Sequence, residues 1–388
     1  MDFEFWQLLL IPVFFGLGWM AARIDIKQLV RESRALPESY FKGLNFLLNE
    51  QPDKAIEAFL EVVRVDPQTV ELHFALGNLF RRRGEIERAI RMHQNLIERE
   101  DLPADLRLQA LAELGRDYLK AGLLDRAEES FVKLRGTARD VEAKKSLLEI
   151  YQAEKEWLKA IGIARELPEY VSQKELSHFY CELASAETMQ SRPDSAMQYL
   201  ESALTAHRKA VRASALLGDL HAQAGRWSQA IEAWQKIEQQ NPPYLALVSQ
   251  RLMNAYEKLG RRDEGLQLLK GYLEQYPSLD LLDTVIKLVS ELQGAPAAQA
   301  LLKDELRRNP TLLGLDKLLE SQLGVAPADK RSDLELIKNL INTHTRRLAR
   351  YRCETCGFKA RQFYWRCPAC GGWESYPPRR SEEFDLSP

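Results

Sequence analysis

Apolar side chains follow two regimes along this chain. Residues 5–22 read FWQLLLIPVFFGLGWMAA, apolar apart from Gln7. Eighteen helical residues span roughly 27 Å, close to the ~30 Å hydrocarbon core of a bilayer. Trp6 and Trp19 stand near the two ends of the run, where indole rings favour a membrane interface. Pro12 and the glycines would weaken a soluble helix but are tolerated in lipid. Asp2 and Glu4 precede the run, and Arg23, Lys27, Arg31 and Arg34 follow it. That order is the reverse of a cleaved leader and puts the basic flank on the cytosolic side. The pattern therefore predicts a transmembrane anchor over 1–22, a juxtamembrane linker helix over 23–36, and a remainder that faces a reducing cytosol.

Beyond the linker the pattern becomes periodic. Gly43, Ala55, Phe59 and Pro67 recur as Gly77, Ala89, His93 and Asp101, and again as Gly115, Ala127 and Phe131. Ala160, Ala196 and Ala230 continue the series, with Gly218, Gly225, Trp234 and Pro242 in one later unit and Tyr256, Gly260, Gly265, Leu269 and Pro277 in another. A period near 34 residues with this small/large alternation resembles the tetratricopeptide repeat, a helix–turn–helix unit. Small residues let the two helices approach and large ones fill the hole opposite. The expected fold is all-α: a tetratricopeptide-repeat solenoid over 37–325, fading after Pro277, with a capping helix over 326–350. Such an array presents a groove lined by the first helix of each pair. Asn78, Arg81, Arg82, Arg116 and Lys120 fall on that helix and form a candidate basic stripe for an acidic partner segment. A solvated, charged helix face is the plainer explanation of the same residues.

Four of the five cysteines lie in the last forty residues, as Cys353-Glu-Thr-Cys356-Gly357 and Cys367-Pro-Ala-Cys370-Gly371. Two Cys-x-x-Cys hooks can bring four thiolates to one tetrahedral ion, and the following glycine permits each tight turn. The alternative, a pair of disulfides, needs an oxidising compartment. The expected module is a small zinc ribbon over 351–378 holding one Zn or Fe ion, with zinc favoured for its closed four-thiolate shell. The hooks also resemble the knuckles of rubredoxin, which holds iron. So short a segment cannot bury enough surface to fold without its ion. The last residues, 379–388, are read as a disordered tail, acidic from Ser381 to Pro388.

Bulk composition selects no partner, since the net charge is only −2. Residues 344–380, however, carry nine Lys or Arg against Glu354 and Glu374, interleaved with Phe363, Tyr364, Trp365 and Trp373. Nucleic-acid modules share that texture, but a dock on the repeat array ranks first, a membrane or protein contact second and nucleic acid last. No phosphate-cradling loop, G-x-S-x-G or H-E-x-x-H is present. Cys181 with His178 one turn away reads as packing. No enzymatic activity is expected.

An N-terminal anchor, a repeat array and the Cys353, Cys356, Cys367, Cys370 knuckle, in that order, resemble the lipopolysaccharide assembly protein B family over nearly the full length. The resemblance implies a non-enzymatic, single-pass adaptor of the inner membrane, its N-terminus periplasmic and its bulk cytoplasmic. It implies that the adaptor promotes degradation of the LpxC deacetylase by the FtsH protease. It also implies contacts with lipopolysaccharide synthesis and transport proteins and with a PbgA-type inner-membrane regulator. A scaffold that assembles lipopolysaccharide enzymes would use the same architecture.

Overall fold

The computed structural model describes residues 38–65, 69–324, 327–345 and 351–378, together with 15, 16, 18 and 19. The chain divides into two compact units, Met1–Ile150 and Tyr151–Pro388. The first holds α1 (Glu38–Leu48), α2 (Pro52–Val65), α3 (Val70–Arg83), α4 (Ile86–Glu98), α5 (Ala104–Lys120), α6 (Leu124–Val132) and most of α7 (Asp140–Ala153). The second continues with α8 (Trp157–Glu166), α9 (Gln173–Met189), α10 (Pro193–Ala206), α11 (Val211–Gln223) and α12 (Trp227–Gln240). A 3₁₀ turn (Pro242–Leu247) leads to α13 (Ser249–Lys258), α14 (Arg262–Gln275), α15 (Leu279–Gln293), α16 (Ala295–Arg308), α17 (Leu312–Leu323) and α18 (Ala328–Thr345). A two-stranded ribbon follows, β1 (Tyr351–Arg352) antiparallel to β2 (Lys359–Ala360). Each unit is thus a tetratricopeptide-like stack of helix pairs, and the second also carries the ribbon.

The small/large alternation sets how closely the paired helices approach. A Cβ placed on Gly43, Gly77, Gly115 or Gly218 would lie 2.4, 2.4, 2.8 or 2.3 Å from Phe59, His93, Phe131 or Trp234 on the second helix of the same pair. Those rings are fully buried, so they cannot give way. In α13/α14 the roles invert: Met253 stands on the first helix and Gly265 on the second makes room for it, 2.9 Å away by the same measure. In α15/α16 the large Leu282 lies on the first helix and the small Ala298 on the second, both buried. Helix pairs therefore continue past Pro277, where the sequence pattern fades.

The turn inside each pair from α1/α2 to α15/α16 recurs as a residue with positive φ: Glu50, Gly84, Gly122, Lys155, Ser191, Gly225, Gly260 and Gly294. Three of these carry a Cβ in a region where it costs about 1 kcal/mol. First helices of successive pairs are tied by ion pairs. In the first unit Arg81 reaches Glu113 at 2.6 Å and Asp117 at 2.8 Å, and Arg116 bridges Glu113 and Glu142. In the second, Arg212 meets Glu182 at 2.8 Å, Arg251 meets Asp219, and Lys317 meets Asp283 at 2.5 Å.

The membrane expectation is corrected. Among the described residues no helix is long and apolar enough to cross a bilayer. The longest, α18, has 18 residues but carries Asp329, Lys330, Arg331, Asp333, Glu335 and Lys338, each expensive in hydrocarbon. Most of the apolar run over 5–22, all of the linker over 23–36 and the tail over 379–388 lie outside the described residues. The expectation of a transmembrane helix, and of the single-pass inner-membrane topology built on it, is thus not met among the described residues.

Two substitutions test this packing. Gly218→Ala should destabilise the second unit by about 2 kcal/mol, because Trp234 has nowhere to move. Ser191→Gly should stabilise it by up to about 1 kcal/mol by relieving its turn. Urea unfolding followed by circular dichroism checks both signs.

Candidate metal centre

The ribbon is built from two copies of one local device. Each hook begins with a residue whose N–H bonds across the turn, Cys353 to Phe358 O and Cys367 to Gly372 O, both at 2.9 Å. Each closes with a glycine N–H bonded back to the first cysteine's carbonyl, Gly357 to Cys353 and Gly371 to Cys367, again at 2.9 Å. Gly357 and Gly371 have φ of 75° and 72°, which a Cβ would strain. The bridges Arg352–Lys359 and Arg366–Trp373 recur with the same spacing.

These hooks face each other. Cys353 Sγ lies 3.8 Å from Cys370 Sγ, and Cys356 Sγ lies 3.7 Å from Cys367 Sγ. All four sulfurs lie within 4.8 Å of one another. A tetrahedron with Zn–S bonds of about 2.3 Å has edges of about 3.8 Å. The cluster can therefore coordinate a single Zn or Fe ion. Cys353 and Cys367 are buried, whereas Cys356 and Cys370 are exposed.

Protons are shared unequally when no ion is bound. Burial opposes ionisation of Cys353, but hydrogen bonds from Ser375 and the backbone N–H groups of Cys356 and Thr355 outweigh it and bring the thiol down to about 6. Cys367 is lowered for similar reasons, its burial outweighed by the N–H groups of Cys370 and Ala369. The Phe358 N–H favours the Cys356 thiolate, yet burial and the neighbouring sulfurs push that thiol up to about 12. A cation removes the repulsion that keeps Cys356 protonated.

Two sets of aromatics surround the centre. Tyr351 and Tyr376 are buried with Cys353 and Cys367 in the ribbon's own small core, and Tyr364 packs against it. The other set faces the helices of the second unit. Trp365 stacks on Tyr244 of the 3₁₀ turn with centroids 5.5 Å apart, and Phe363 meets the same ring edge-on at 6.0 Å. Trp373 stacks on His178 of α9 at 4.8 Å, with Arg212 of α11 and Arg366 over its ring at 5.6 and 5.3 Å.

Polar contacts fix this dock. Glu374 pairs with Lys174 at 2.8 Å and approaches His178 Nε2 at 3.3 Å. Arg366 donates to Gln152 at 3.0 Å, and the Tyr351 hydroxyl donates to Asp280 at 3.2 Å. Burial holds His178 below its usual value, so it stays neutral near pH 7. Burial works against the Glu374 carboxylate, but His178 and Lys174 still hold it below the usual range. Cys181 takes no part: it is fully buried, and burial pushes its thiol up to about 12.

The candidate basic stripe sits in the first unit. Arg81 is mostly buried and spent on Glu113, Asp117 and Asn78, and Arg116 is held by Glu113 and Glu142. Asp117 also takes His93 Nδ1 at 2.5 Å, so a buried polar cluster stands where the neighbouring pairs have an aromatic core. Arg82 and Lys120 are exposed. The dock residues Lys174, Arg212, Gln152 and Asp280 had no local signature in the sequence.

Comparison with known proteins agrees with this architecture. Residues 351–377 match the family described as rubredoxin metal binding domain, and residues 42–101, 188–251 and 249–278 match tetratricopeptide repeat families. The chain is 36% identical over 378 residues to lipopolysaccharide assembly protein B of Escherichia coli K12, covering 96% of this chain and 97% of the relative. It is 32% identical over 396 residues to the protein of that name from Haemophilus influenzae, covering 97% and 98%. Among solved structures, the TPR2AB domain of yeast Sti1 in complex with pHSP90 is 18% identical with a TM-score of 0.32, covering 68% of this chain and 94% of that one. MamA is 23% identical with a TM-score of 0.24, covering 54% and 92%. Scores this low carry no weight.

Metal retention should weaken as pH falls, because protons compete with the ion for the four thiolates; a chelator titrated against the zinc-loaded chain at several pH values measures this. The dock has its own pH dependence with the same sign. His178 and Glu374 both have depressed folded values, so their stabilisation is complete above about 6.5 and lost on acidification. Trp373→Ala should free the ribbon without emptying it, because Trp373 lies outside the ribbon core. Faster proteolytic loss of the ribbon at unchanged zinc content is the expected result.

Proposed function

The chain belongs to the lipopolysaccharide assembly protein B family, and on that premise we propose that it is a non-enzymatic adaptor that promotes FtsH-dependent degradation of the LpxC deacetylase. Near-full-length similarity to named members of the family is the observation that carries the reading. The four-thiolate ribbon and the helix-pair stacks supply a physical means. Adaptors act by holding two proteins together, which needs surfaces rather than reactive groups.

Cys353, Cys356, Cys367 and Cys370 are the proposed ligands of one resident ion, zinc before iron, within a module over 351–378. The ion supplies structure, since four protein ligands leave no position for a substrate. Its binding orders the ribbon and so presents Phe363, Trp365 and Trp373 to the helices. Asn78, Arg81, Arg82, Arg116 and Lys120 are the proposed partner-facing set of the first unit. Arg82 and Lys120 provide exposed charge, and the ion-paired members hold the helices that carry them. FtsH, LpxC, the PbgA-type regulator and proteins of lipopolysaccharide synthesis and transport are the proposed partners.

Cells carrying Cys367→Ser and Cys370→Ser should degrade LpxC several-fold more slowly while the variant remains abundant. Pulse–chase of LpxC, with immunoblotting of the variant, measures both. LpxC turnover at the wild-type rate beside a metal-free variant would remove the ribbon from the delivery mechanism.

A further inference from the structure

The ribbon covers one edge of the second unit, where the first helices of successive pairs begin. It seats on Lys174 and His178 of α9, Arg212 of α11, Tyr244 of the 3₁₀ turn and Asp280 of α15. The next first helix in that order is α17. Its N-terminal end lines a groove of about 550 Å³.

The groove has an apolar floor and a cationic rim. Leu306, Pro310, Leu312, Leu315 and Leu318 form the floor, with Lys303 and Arg307 at the edge. Leu312 and Leu315 are 37% and 36% exposed, unusual for leucines at the junction of two helix pairs. The start of α17 packs closely on this floor: a Cβ on Gly314 would come within 2.6 Å of Leu306. Thr311 caps α17 by accepting from the Gly314 N–H at 3.1 Å, and the positive end of the helix adds to the rim charge. Asp304 offsets part of the Arg307 charge at 3.2 Å, while Lys303 is exposed on the same rim.

We propose that this groove is a docking site for an acidic amphipathic segment of a partner protein. Large apolar side chains on one helical face would fill the leucine floor, and flanking carboxylates would meet Lys303, Arg307 and the start of α17. The site continues the edge already used by the ribbon's Phe363 and Trp365, so a partner there lies beside the ribbon. The groove's chemistry selects such a segment whichever pathway the protein serves.

The test uses the full chain, zinc-loaded, with two fluorescent synthetic helical peptides. One carries leucines on one face and glutamates on the flanks, and its twin carries lysines in place of the glutamates. Anisotropy should show the acidic peptide binding at least about tenfold tighter than its twin. Leu315→Gln should abolish binding, and Lys303→Glu with Arg307→Glu should reverse the preference, with circular dichroism and zinc content unchanged. Equal binding of the twins, no binding, or binding indifferent to these substitutions would overturn the proposal. So would self-association abolished by Leu315→Gln, which gives the groove to a second copy. Binding to anionic phospholipid vesicles without binding to the peptide would likewise overturn it in favour of a lipid surface.

Discussion

Four sulfurs crowded to within 3.8 Å along two edges of one cluster cannot all carry charge without a cation between them. That requirement governs the C-terminal part of the molecule. The ribbon's own core is little more than Tyr351, Tyr376 and the two inner sulfurs, far too small to offset the entropy of ordering its chain. Metal binding and ribbon folding are therefore one event. The same event sets Phe363, Trp365 and Trp373 against the helices and leaves Phe358 and the outer cysteines exposed. The ion shapes a surface and brings several helices under it.

Those helices obey a different rule. A single pair cannot bury both its faces, so neighbours must stack, and within each pair a small residue facing a large one sets how closely the two helices approach. Ion pairs between successive first helices use up much of the charge that a groove reading would assign to a partner. Arg81 and Arg116 are the clearest cases, each neutralised by two acids of the first unit.

The metal hooks were legible because their chemistry is local: two turns, each specified by a few consecutive residues. The helix pairs were legible as far as glycine faced an aromatic ring. They blurred after Pro277 because there the first helix carries the large Leu282 and the second the small Ala298, both buried, in place of a glycine facing a ring. Three turns went unmarked because Glu50, Lys155 and Ser191 adopt positive φ without glycine's signature. The dock was half legible. The ribbon aromatics stood out, but Lys174, Arg212 and Asp280 look like ordinary surface residues until the fold brings them together. The apolar run near the N-terminus met a length and composition criterion, whereas the described helices owe their apolar faces to pairing with one another.

Whether the ribbon acts through its seat on the helices, or merely survives there, is the central question. Half-life measurement of LpxC in cells carrying Trp373→Ala with Glu374→Lys addresses it most directly, since these changes spare every thiolate. If the seat is what matters, LpxC turnover slows while the variant stays abundant and keeps its zinc. Turnover at the wild-type rate, with the ribbon shown to be detached, would contradict a role for the seat.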